Sequence, residues 1–100
     1  MPGTVSLRIE NATGQDLDRV RVVLPGQPEI DFGPVAKGGV TAFRDTTKAY
    51  RYAEVHARAG DRERSFRPVD YLGEPELPAG RYTYILSVDG EQLVIRLAKA

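Results

Sequence analysis

The sequence predicts an all-β protein, an antiparallel β-sandwich of seven or eight short strands in one domain spanning residues 1–100. Three observations carry this. Apolar and polar residues alternate in short runs, the runs are separated by turns marked with Gly and Pro, and no segment keeps the period of an amphipathic helix. The clearest stretch is Leu77–Leu97, which reads as turn, strand, tight turn, strand. Asp89-Gly90 between two alternating runs is a strong hairpin signal, because a two-residue type I′ loop requires positive φ at both central positions. That loop would set Val88 opposite Glu91, Leu86 opposite Leu93, Tyr84 opposite Ile95 and Tyr82 opposite Leu97. Three large apolar pairs then share one face, while Thr83 meets Arg96 on the other.

The elements follow in order. Val5, Leu7 and Ile9 alternate with Ser6, Arg8 and Glu10, giving a half-buried strand; the polar run Asn11–Asp16 reads as a loop. Val20, Val22 and Leu24 alternate with Arg19 and Arg21, and Pro25-Gly26 ends this second strand. Ile30, Phe32 and Val35 form a short strand whose Gly33-Pro34 argues against a central ladder position. After the turn at Lys37–Gly39, Val40–Arg44 resumes extended structure, and Asp45–Tyr50 reads as a loop or as one helical turn capped by Asp45. Residues Tyr52–Ala59 and the run after Gly60-Asp61 make a further hairpin. It pairs Arg58 with Glu63, His56 with Ser65, Glu54 with Arg67 and, on the opposite face, Val55 with Phe66. Pro68–Pro78 is a long connection into the terminal hairpin.

Composition bounds the function. Cysteine is absent, so disulfides and thiolate chemistry are excluded. Fourteen basic residues balance fourteen acidic ones, which argues against a nucleic-acid partner, and no apolar run approaches the roughly 18 residues of a membrane-spanning helix. The opening Met1–Val5 has neither a basic nor an apolar leader region, as expected of a cytoplasmic chain or of a mature exported domain.

The candidate chemistry is sparse. His56 is the sole histidine, and the strand reading sets it beside Glu54, Arg58 and Ser65; a regular strand offers no nucleophile elbow, so no catalytic residue is assigned. Asp70, Glu74 and Glu76, with Asp16 and Asp18, lack the Gly-punctuated alternation of a calcium loop, so no metal and no cofactor is expected. The acids that match the many Arg residues read as a laced surface ribbon. Tyr and Arg are enriched at binding hot spots. Tyr50, Arg51 and Tyr52, with Asp70, Tyr71 and Glu74 on the long connection, are therefore the candidate binding residues. Asn11-Ala-Thr13 matches the N-glycosylation sequon.

Leu77-Pro-Ala-Gly-Arg-Tyr-Thr83 resembles the corner that opens a strand in fibronectin type III domains and in transthyretin-like domains of bacterial exported proteins. In that arrangement Gly80 gives the corner its freedom, and the Tyr82 hydroxyl bonds back to the loop. Leu7-Arg-Ile-Glu-Asn-Ala-Thr13 and Asp31–Gly39, taken with that corner, are similar to small uncharacterised sandwich domains of bacterial lipoprotein-like envelope proteins. The resemblance implies an immunoglobulin-like or transthyretin-like sandwich outside the cytoplasm, in the periplasm or at the cell surface. The expected function is a noncatalytic binding or structural module meeting a protein, a glycan or a cell-wall component. The alternatives are a module that self-assembles edge to edge, with Tyr52–Ala59 as the template unless paired on both sides, and a small transthyretin-like hydrolase.

Overall fold

The structure is a computed structural model that describes residues 4–24, 26–67 and 76–99. Eight strands form two four-stranded sheets packed as a sandwich. In chain order they are β1 (Val5–Asn11), β2 (Leu17–Val23), β3 (Ile30–Val35), β4 (Arg44–Thr46), β5 (Glu54–Ala59), β6 (Arg62–Phe66), β7 (Gly80–Asp89) and β8 (Gln92–Lys99). One sheet has the order β4-β1-β7-β8 and the other β3-β2-β5-β6.

The alternating apolar positions meet between the sheets. Leu7, Ile9, Val20, Val22, Val55, Tyr84 and Leu86 are fully enclosed, and Leu93 and Ile95 complete the layer from β8. Burying each large aliphatic side chain contributes about 1.5–3 kcal/mol. Hydrogen bonds also tie the first sheet to the segment before β5 and to the second sheet. Tyr84 Oη donates to the Tyr50 carbonyl at 2.6 Å, and Asn11 Nδ2 on β1 donates to the Val35 carbonyl at the end of β3 at 2.9 Å. The corner before β7 forms as the sequence leads one to expect: Tyr82 Oη donates to the Pro78 carbonyl at 2.7 Å, with Gly80 at a φ of 149°.

Three expectations are corrected. The terminal hairpin turns at Gly90-Glu91, not at Asp89-Gly90: Asp89 pairs with Gln92, Val88 with Leu93, Leu86 with Ile95 and Tyr84 with Leu97. Only Gly90 has a positive φ (63°), the requirement of a type II′ loop, whereas type I′ would force Asp89 into the left-handed region. The slip is two residues, so every side chain stays on its expected face; alternation fixes parity, and the turn fixes the rest. Arg96 consequently stands opposite Ile85, and Thr83 is buried, its hydroxyl accepting from Arg8 Nε at 2.9 Å.

The sandwich is also not wholly antiparallel. β1 runs parallel to β7 over its full length, from Val5 opposite Gly80 to Asn11 opposite Leu86. Alternation along one strand carries no information about the direction of its neighbour. Finally, the strand expected at Val40–Arg44 lies later: Val40 makes a single bridge to Glu10, and β4 covers Arg44–Thr46. Asp45 and Thr46 therefore belong to an edge strand and not to a capped helical turn.

The remaining elements match. β3, with its Gly33-Pro34, is an edge strand, and its pairing with β2 is irregular around Val20. The β5–β6 hairpin has the expected register, with His56 opposite Ser65, Arg58 opposite Glu63 and Val55 opposite Phe66.

Candidate functional site

Two groups of polar side chains stand out from the sandwich. The first lies on the outer face of the β3-β2-β5-β6 sheet. His56 and Ser65 face each other across β5 and β6, and Glu54 is two positions along on the same face as His56. The imidazole is held at both ends: Nε2 lies 2.6 Å from Glu54 Oε2, and Nδ1 lies 2.7 Å from Ser65 Oγ. A carboxylate accepts, so Nε2 carries the proton and in the neutral ring Nδ1 accepts from the serine hydroxyl. The His56 side chain is only 12% exposed, and Arg67 Nε approaches the same Glu54 oxygen at 3.9 Å.

The line Ser65–His56–Glu54 has the polarity of a nucleophile, a base and an orienting carboxylate. Ser65 nevertheless sits within a regular strand. In such a ladder the peptide N–H groups lie in the plane of the sheet while Oγ stands away from it, so β6 offers no donors converging on a developing oxyanion. What the cluster does is lace the sheet. Arg21, opposite His56, reaches Glu63 at 3.2 Å and Glu29 at 3.5 Å, and Arg19 pairs with Asp31 at 2.8 Å. Glu63 thus turns to Arg21 and not to Arg58, the partner anticipated from the hairpin; Arg58 Nε donates to the Gly60 carbonyl. The Gly33 N–H and the Arg19 guanidinium together hold the Asp31 carboxyl below the ordinary carboxylate value of 3.8.

The second group lies where the segment before β5 passes β8. Tyr50 is half-buried and its carbonyl receives Tyr84, which fixes the backbone of the next two residues. Tyr52 is 40% exposed and leans on Phe66 with ring centroids 6.1 Å apart. Arg51 and Tyr52 then line an open depression of about 330 Å³ with Ile95, Arg96 and Leu97. Among the described residues neither Arg51 nor Arg96 has an ion pair or a hydrogen bond from its guanidinium. The structure therefore brings Arg51 and Tyr52 together with part of β8. Sequence reasoning missed Arg96, whose only signal was a charge on the outward face of the terminal hairpin. Asp70, Tyr71 and Glu74 lie outside the described residues.

The other acids considered for calcium are dispersed. Asp16 Oδ1 accepts from the Lys37 N–H at 2.8 Å, Asp18 Oδ2 from the Gly60 N–H at 2.7 Å, and Glu76 pairs with Lys48 at 3.3 Å. Among the described residues no group of three or more acidic or imidazole side chains gathers as a metal site. The sequon at Asn11 is structural: the side chain is buried, with Nδ2 committed to the carbonyls of Gln15 and Val35 and Oδ1 accepting from Thr13.

The fold defines the class, an eight-stranded two-sheet β-sandwich with one parallel pair. No protein-family model matches the chain, and no curated protein matches it significantly. Among solved structures it is similar to the NMR structure of a protein from Eubacterium rectale, with a TM-score of 0.70 at 10% identity over 97% of this chain and 90% of the other. At that identity the likeness is one of fold.

Proposed function

We propose that the chain is a noncatalytic binding module that receives a carboxylate-bearing partner, a glycan or a peptide segment, at Arg51, Tyr52 and the outer part of β8. The observation that carries this is the pair of guanidiniums, Arg51 and Arg96, which have no partner among the described residues and line one depression with the exposed ring of Tyr52. Arg presents a planar fork suited to carboxylates, and an exposed Tyr supplies a flat amphipathic surface at small entropic cost. The flanking sheets hold these groups on a rigid frame, so binding needs no rearrangement of the core. A place in a bacterial envelope or secreted protein, as the transthyretin-like and lipoprotein-like resemblances suggest, suits such a module.

The test is an amide NMR titration with two ligand series, uronic-acid oligosaccharides and Asp/Glu-rich peptides, against neutral counterparts of each. Saturable shifts confined to Arg51–Tyr52 and Ile95–Leu97, abolished in R51A/R96A, are the expected result. Equal shifts with the neutral series, or none with either acidic series, would overturn the proposal.

A further inference from the structure

The cations of the two outer sheet faces are partnered differently. On the β3-β2-β5-β6 sheet Arg19 and Arg21 are answered by Asp31, Glu29 and Glu63, and His56 and Arg67 by Glu54. On the β4-β1-β7-β8 sheet Arg8 and Arg81 have no ion pair among the described residues. Asp45 is the carboxylate beside them, across Ser6 from Arg81, and its Oδ1 accepts from the Ser6 hydroxyl at 2.6 Å.

The register brings these two guanidiniums together from separate strands. Across the parallel seam Ser6 stands beside Arg81, and Arg8 beside Thr83. Phe43 immediately precedes β4, whose pairing with β1 reaches Leu7 at Arg44, so Phe43 comes beside Arg8. The guanidinium carbons of Arg8 and Arg81 lie 4.6 and 5.4 Å from the centroid of its ring. One phenyl ring therefore carries both charges.

Stacking leaves a guanidinium's hydrogen-bonding edge open, because the ring meets its flat face while the N–H groups radiate in the plane. Arg8 is also fixed at its root, where Nε donates to the buried Thr83 Oγ1 at 2.9 Å. Its two terminal nitrogens have no acceptor among the described residues. Arg81 is exposed, and its side chain is free to close on the same group.

We propose that Arg8 and Arg81, aligned on Phe43, bind a doubly charged phosphoryl group, free or as a monoester. A carboxylate has two oxygens and is saturated by one guanidinium fork, whereas a phosphate monoester offers three terminal oxygens and nearly two charges at neutral pH. Two forks from two strands suit the second. Asp45 opposes the ligand's charge and holds the affinity to about 1 mM. The site shares no residue with Arg51, Tyr52 and β8, so it stands or falls apart from the binding function proposed above.

The experiment is an NMR titration of the whole chain with inorganic phosphate, O-phosphoserine and acetate, at an ionic strength held constant with chloride. It is read at the Nε–H signals of Arg8 and Arg81 and at the amides of Ser6 and Thr83. Saturable shifts with both phosphates are expected, roughly tenfold weaker in R81A, intermediate in R81K and several-fold tighter in D45N. Arg81 and Asp45 are exposed, so these variants keep the fold, which the dispersion of their amide spectra checks. Tighter binding of O-phosphoserine marks an ester as the natural source, and equal binding marks the free ion. Acetate binding as tightly as phosphate would overturn the proposal, as would an unchanged affinity in R81A, weakening in D45N, or shifts that do not saturate by about 20 mM.

Discussion

Asn11 Nδ2 donates to the carbonyl of Val35 at 2.9 Å, joining the last residue of β1 to the last residue of β3 across the two sheets. The same amide nitrogen reaches the Gln15 carbonyl at 2.7 Å, and its oxygen accepts from the Thr13 N–H and hydroxyl. The backbone of Asn11 meets Gly39 and Gly38 at 2.9 Å each. One enclosed amide thus closes both the loop after β1 and the turn after β3.

Removing it should therefore cost more than a surface hydrogen bond. Asn11→Ala strips partners from several enclosed backbone groups, and a loss of about 2–4 kcal/mol is expected in urea unfolding. A loss below about 0.5 kcal/mol would mean that water replaces the amide freely.

The position of the terminal turn gives a second expectation. Gly90 has a φ of 63° and open space where a Cβ would stand, so strain and not a clash opposes substitution. Gly90→Ala should destabilise by about 1 kcal/mol, whereas Asp89→Ala should stay within about 0.5 kcal/mol. Thermal melts of the two variants decide between the turn at Gly90-Glu91 and one at Asp89-Gly90, for which both residues would be sensitive.

Asp31 sets the acid response of the outer sheet face. Its Oδ1 accepts from the Gly33 N–H at 2.8 Å, and Arg19 Nε donates to Oδ2 at 2.9 Å. Both contacts favour the ionised form, so the folded-state midpoint lies below the unfolded one. The stabilisation is therefore complete above the ordinary value of 3.8 and is lost as pH falls through the folded midpoint. An NMR titration of the Asp31 carboxyl should show a midpoint below 3.8 that rises in Arg19→Ala yet stays short of the ordinary value, because the larger Gly33 contact remains. With the side chain 43% exposed, the Arg19 contribution to stability is that of a surface pair, under about 1 kcal/mol.

Much of this architecture was legible in local chemistry. Alternation located most of the strands, Pro34 marked β3 as an edge, and the charges around Gly60-Asp61 set the β5–β6 register. Three features escaped because they depend on neighbours far along the chain. The direction of β1 beside β7 is one. The choice between two loops of equal parity at Gly90 is another. The third is the pairing of β5 on both sides, by β2 and β6, which removes Tyr52–Ala59 as a template for assembly. In the proposed site, Arg51 and Tyr52 were singled out from residue type alone. Arg96 was not, since its approach to them is set by how β8 packs against the other sheet.

The parallel seam has a consequence for how the protein is made. Arg8 and Thr83, which meet across it, stand 75 residues apart. During translation β1 is made before its partner β7, and until then its neighbours are the segment Gly38–Thr41 and the three residues of β4. The β3-β2-β5-β6 layer comes from the continuous stretch Leu17–Phe66 and can zip up while the ribosome is still at work. Val5, Leu7 and Ile9 must wait for β7, which begins at Gly80. The nascent polypeptide therefore carries a greasy first strand until β7 is made, and the arrival of β7, more than any local turn, times the closure of the sandwich.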